Sequence, residues 1–168
     1  STGILAGIKW IQSPGGSVET RRDLSKWTVH ELAPDWLSGH GFVLADVDGD
    51  GDTDLTDGNE DWDTPKGQEE VAWFENPGAG SAALRTPWPK HVVHQGPAFY
   101  TKTQPDVGDL DGDGHRDIVM QSETHFYFFK NSGRKPLQWQ LTKIPKPVYA
   151  QQRARPTRIA DLNGDGKM

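Results

Sequence analysis

Cysteine does not occur in the 168 residues. Disulfides and thiolate metal sites are therefore excluded, while the compartment is left open. No apolar run approaches the ~20 residues that a membrane-spanning helix needs, and only 33% of the chain is hydrophobic. A sustained 3.6-residue apolar period with caps is also missing, so helix should be scarce. Lysine and arginine gather into no stripe, which argues against a nucleic-acid partner. There is no Gly-x-Ser-x-Gly, His-Glu-x-x-His or phosphate-cradling glycine loop, so the common signatures of catalysis are absent.

Glycine (19) and proline (12) are frequent and punctuate short β-rich runs. The acidic residues are concentrated. Asp46, Asp48, Asp50, Asp52, Asp54, Asp109, Asp111, Asp113, Asp117, Asp161 and Asp165 lie in three clusters and make up 11 of the 24 acids. One dication per cluster would bring the formal charge of −6 to about zero. The acidity thus reads as metal ligation rather than as a field that selects partners.

The clusters anchor an internal repeat. Asp46-Val47-Asp48-Gly49-Asp50-Gly51, Asp109-Leu110-Asp111-Gly112-Asp113-Gly114 and Asp161-Leu162-Asn163-Gly164-Asp165-Gly166 begin 63 and 52 residues apart. Between them Ile8-Lys9-Trp10-Ile11-Gln12-Ser13-Pro14-Gly15 matches Val71-Ala72-Trp73-Phe74-Glu75-Asn76-Pro77-Gly78, with a weaker copy from Phe126 to Gly133. A Trp-x-x-His step follows: Trp27 to His30 and Trp88 to His91, with Thr142 in the histidine's place after Trp139.

Each unit reads as four short strands, the size of a propeller blade. In the complete second unit these are Gly41–Ala45, Asp54–Thr56, Glu70–Phe74 and Trp88–His94. In the third, Arg116–Gln121, Thr124–Lys130 and Gln138–Ile144 are the last three. The expected fold is all-β: four-stranded antiparallel sheets forming β-propeller blades, about three blades' worth in a single segment. Residues 1–40 supply the last two strands of a blade, 41–96 and 97–147 are full blades, and 148–168 start the next. Propellers use roughly four to eight blades, so the segment is expected to be completed by the remainder of a larger propeller or by self-association.

Each aspartate loop offers oxygen at positions 1, 3, 5 and 9 and a backbone carbonyl at 7, which suits calcium (Ca2+), a hard cation that takes six to eight oxygens. The donors are Asp46, Asp48, Asp50 and Asp54 with the carbonyl of Asp52, then Asp109, Asp111, Asp113 and Asp117 with the carbonyl of His115. The third loop has Asp161, Asn163 and Asp165 but ends before position 9, which predicts a weak or empty site. Gly51 and Gly114 stand at position 6, where a sharp turn is needed and a Cβ is expected to clash; Gly49 and Gly112 are read as relieving the same crowding. Such close carboxylates do not all stay ionised without a cation. An EF-hand would require an acid at position 12 and flanking helices. Position 12 is Asp57 in one loop but Met120 in the other, and the flanks are strand-like.

These residues resemble the FG-GAP/VCBS repeat family, whose loop Asp-x-Asp-Gly-Asp-Gly-x-x-Asp joins the first two strands of a blade. Ala45–Leu55 and Gly108–Val119 fit closely, and Trp73–Gly78 matches a step common in the bacterial members. The Phe-Gly-Gly-Ala-Pro peptide of one branch is absent, so integrin-like ligand binding is not implied. The resemblance implies calcium-stabilised blades in a secreted, cell-surface or periplasmic protein. It does not specify a function, because one fold hosts many.

The leading expectation is a non-catalytic module that binds a glycan or a protein. Trp36 and Trp62 lie off the repeat, and either could stack on a sugar face. His40, Tyr100, Arg153 and Arg155 fall just before innermost strands and are candidates for a polar pocket at one channel mouth. The alternative is part of a polysaccharide lyase or dehydratase, with His40 or Tyr100 as general base and Arg153 or Arg155 gripping a substrate carboxylate. A structural spacer is the third reading. His30 and His91, as repeat members, are expected to hydrogen-bond within their blades.

Overall fold

The computed structural model describes residues 7–37, 39, 41–59, 69–96, 104–147 and 157–164. Strands dominate. β1 (Ile8–Gln12) pairs with β2 (Thr28–Ala33); β3 (Val43–Ala45), β4 (Asp54–Gly58), β5 (Glu70–Phe74) and β6 (Lys90–Gln95) form a second sheet; β7 (Asp106–Gly108), β8 (Asp117–Gln121), β9 (His125–Asn131) and β10 (Trp139–Pro145) form a third. Both larger sheets run in chain order and are antiparallel throughout, as in propeller blades. Their innermost strands, β3 and β7, lie side by side. Among the described residues the sheets form an open arrangement rather than a closed ring.

The period of two along each strand decides what packs where. Along β5, Ala72 and Phe74 face the first sheet and join Leu32, Ala33, Trp36 and Leu55 in one buried cluster. Val71, on the opposite face, joins Ile118, Met120, Tyr127 and Phe129 of the third sheet. Each core therefore lies between sheets. The middle strands β4 and β8 are covered on both faces and read Asp-Leu-Thr-Asp-Gly and Asp-Ile-Val-Met-Gln, buried almost throughout.

The repeat register is literal. Trp10 sits opposite His30, Trp73 opposite His91, and Phe128 opposite Thr142. Both histidines stack on their tryptophans, at 4.4 Å and 4.3 Å between ring centroids. Their Nε2 atoms bond Gln12 Oε1 at 3.0 Å and Glu75 Oε2 at 2.7 Å, each two residues beyond the tryptophan, so the expected in-blade hydrogen bonds are present.

Three local expectations need adjusting. β4 continues through Asp57 and Gly58, which look like a turn in the sequence, because they pair with Ala72 and Val71 and Asp57 accepts the Trp36 indole N–H at 2.9 Å. The fourth strand of the second sheet starts at Lys90 rather than Trp88, whose backbone N–H instead reaches Leu32 of the first sheet at 2.8 Å. A single-turn helix, α1 (Val18–Arg22), interrupts the link between β1 and β2. The Ser17 hydroxyl caps it by accepting the Thr20 N–H, and five residues are too few to display a helical period.

Candidate metal centres

The two aspartate loops sit at equivalent places, joining β3 to β4 and β7 to β8. Asp46 gathers the chain around itself: Oδ1 accepts the N–H of Gly49 (2.8 Å) and of Asp50 (3.1 Å), and Oδ2 accepts that of Gly51 (3.1 Å). Asp109 does the same with Gly112 (2.8 Å), Asp113 (3.1 Å) and Gly114 (2.9 Å). Asp50 then takes the Asp52 N–H and Asp113 the His115 N–H, at 2.8 and 2.9 Å. The glycines have a reason other than crowding, which corrects the expectation above. A Cβ at Gly51 or Gly114 would meet nothing within 4 Å, but φ is +96° and +87°, a left-handed conformation that side chains disfavour.

Position 9 closes each loop. Asp54 is fully buried at the start of β4; its Oδ2 accepts the Val47 N–H at 2.9 Å and its Oδ1 the Asn76 N–H at 2.8 Å. Asp117 does likewise with Leu110 at 3.0 Å and Asn131 at 2.8 Å. Burial pushes the Asp54 carboxyl up to about 6, against the two N–H donors and with the charges of Asp48 and Asp50 adding to the rise. Asp117 is raised for the same reason, burial first, with Asp111 and Asp113 adding to it. Exposed Asp113 moves the other way, held down first by the His115 N–H and also by Lys130.

Oxygens of Asp46, Asp48 and Asp50 lie within 4.8 Å of one another, as do those of Asp109, Asp111 and Asp117. These groups could each hold a metal ion. The donor set fits a hard cation, being carboxylate oxygen with the position-7 carbonyls of Asp52 and His115 as further candidates. Lysines meet both loops. Lys135, from the turn between β9 and β10, reaches Asp48 at 2.8 Å across the sheet boundary, and Lys130 pairs with Asp111 and with Asp113, the latter at 3.3 Å. In the third loop Asp161 accepts the Gly164 N–H at 2.7 Å, the first bond of the same pattern. Asn163 is described, and Asp165 lies outside the described residues.

The sequence reading missed Asn76 and Asn131. Each gives its backbone N–H to the position-9 aspartate. Each side chain also bridges inward, Nδ2 to the carbonyl of Thr53 or Arg116 and Oδ1 from the N–H of Gly78 or Gly133. They stitch the end of the third strand to the loop. The recurring Asn followed two residues later by Gly was visible as a turn, but its role needs the register. Gly133 takes φ +67°, a left-handed conformation that side chains disfavour.

Trp36 is a correction. It is 5% exposed, packs edge-on against Phe74 at 5.2 Å and donates to Asp57, so it is a core residue and offers no open face to a sugar. His40, Trp62, Tyr100, Arg153 and Arg155 lie outside the described residues, so the channel-mouth pocket and the enzymatic roles given to them stand as expectations only. A cleft of about 470 Å³ does open between the second and third sheets. It is lined by Trp73, His91, Glu75, Lys90, Trp139 and Lys135, among others. No described helix is long and apolar enough to cross a membrane.

No curated protein and no solved structure matches the chain. Residues 109–168, which begin at the first aspartate of the second loop, match the FG-GAP-like repeat family.

Proposed function

We propose that this segment is a calcium-stabilised β-propeller module of a secreted or surface-exposed protein, non-catalytic, binding a carbohydrate or a protein. One observation carries the calcium part. Two loops 63 residues apart make the same set of backbone-to-carboxylate hydrogen bonds and bring three carboxylate oxygens together in each. Asp46, Asp48, Asp50 and Asp54 with the Asp52 carbonyl would hold one ion; Asp109, Asp111, Asp113 and Asp117 with the His115 carbonyl would hold another.

Bound calcium would supply charge neutralisation at the tip of the β3–β4 and β7–β8 hairpins. An ion that binds the folded chain and not the unfolded one adds stability, about 2.7 kcal/mol at a hundredfold excess over Kd. The test is thermal unfolding in chelator and in millimolar calcium. The expected result is a melting temperature several degrees lower in chelator; identical melts refute the reading. The inter-sheet cleft, with aromatic and charged groups on its walls, supports the ligand-binding part. A glycan array followed by an activity screen on acidic polysaccharides separates binding from turnover.

A further inference from the structure

We propose that the two loops hold calcium with unequal strength, and that Lys130 makes the second loop the weaker by acting as a built-in counter-cation. The inference rests on the calcium reading above and adds to it a residue that sets affinity.

The repeat locates the asymmetry. Asn76 and Asn131 are equivalent, since each gives its N–H to the closing aspartate of its loop. The residues just before them, Glu75 and Lys130, are therefore equivalent too, yet opposite in charge. In the second sheet His91 stacks on Trp73 and bonds Glu75, which fixes that carboxylate on the sheet. In the third sheet Thr142 stands where the histidine would be and Phe128 where the tryptophan would be. No imidazole holds residue 130, and its ammonium turns to the loop and pairs with both Asp111 and Asp113. Those are positions 3 and 5, two of the carboxylates a calcium ion would need.

The first loop is differently placed. It carries a fifth carboxylate, Asp52, where the second has His115. The lysine it meets, Lys135, arrives from the neighbouring sheet and, among the described residues, pairs with one carboxylate of the loop, Asp48, instead of two. Calcium entering the second loop must displace an ammonium shared by two ligands and tethered one residue from Asn131. Entering the first, it displaces a single contact. A unit charge held about 5 Å from a dication, screened as in water, weakens binding by about tenfold.

Calcium titration calorimetry on the chelator-treated full chain tests this with each loop read alone. Asp48→Asn silences the first loop and Asp111→Asn the second. The expected result is a loop 2 weaker than loop 1 by less than about tenfold, because Lys135 also sets one positive charge beside loop 1. Lys130→Gln in the Asp48→Asn background should strengthen loop 2 by about tenfold, whereas Lys130→Arg, which keeps the charge, should not. Equal affinities, or a loop 2 indifferent to Lys130→Gln, overturn the inference and leave the calcium reading standing. Absence of binding in either single-loop variant and in the parent chain overturns both.

Discussion

Asp54 gives the proposal its sharpest consequence. Its ordinary pKa is 3.8, and burial lifts it to about 6 in the folded, ion-free chain. The unfolded chain releases this proton near pH 4, whereas the folded chain keeps it until about pH 6. Between those values the folded state binds more protons, so stability falls as pH rises. The contribution is complete below pH 4 and lost above about pH 6. Two pKa units correspond to about 3 kcal/mol at most, and a change of about 2 kcal/mol is the expectation. For a chain of this size that is a fall of about 4–8 °C in melting temperature. Calcium reverses the trend because it requires the ionised carboxylate: its stabilisation grows as pH rises through 6. Unfolding followed by circular dichroism from pH 4 to 7.5, in chelator and in calcium, gives two curves that diverge with pH. Asp54→Asn isolates the residue, since an amide fills the space without ionising. In chelator the difference between parent and variant should change by about 2 kcal/mol across the range. Parallel curves for the two proteins would refute the reasoning.

Two further substitutions follow from the packing. Asn131→Ala keeps the backbone bond to Asp117 but removes the bridge between the Arg116 carbonyl and the Gly133 N–H; at 2% exposure this should cost about 1–3 kcal/mol in chemical denaturation. Trp36→Ala empties part of the core between the first and second sheets and should cost about 3–5 kcal/mol, whereas a ligand-stacking tryptophan would change binding and leave stability nearly untouched.

The blade pattern was legible in the sequence because its marks are covalent and periodic. Asp46 and Asp109 start equivalent loops, and Trp73 and His91 face each other as their spacing from the loop requires. What stayed hidden depends on partners distant in the chain. Trp36 looked like a loose aromatic because nothing local says that Asp57, 21 residues on, will accept its N–H. Asp57-Gly58 has turn chemistry but is drawn into a strand by Ala72 and Val71. The glycines of the loops were read as steric necessities, and the necessity is torsional instead. Lys130 and Lys135 carried no motif, and their meaning appears only once two loops can be compared contact by contact.

The placement of position 9 links the ion sites to the core. Asp54 and Asp117 are at once the last carboxylates of their loops and the first residues of β4 and β8, the strands buried on both faces. The next residue in each case, Leu55 or Ile118, enters an inter-sheet cluster. A loop that fails to close therefore loosens the strand that carries the core, and a core that fails to form releases the aspartate that closes the loop. Because Leu55 packs toward the first sheet and Ile118 meets Val71 of the second, each loop is coupled to the sheet preceding its own. Binding at one hairpin tip should then report on the docking of two sheets, which is why melting, rather than local spectroscopy, is the informative readout for these sites.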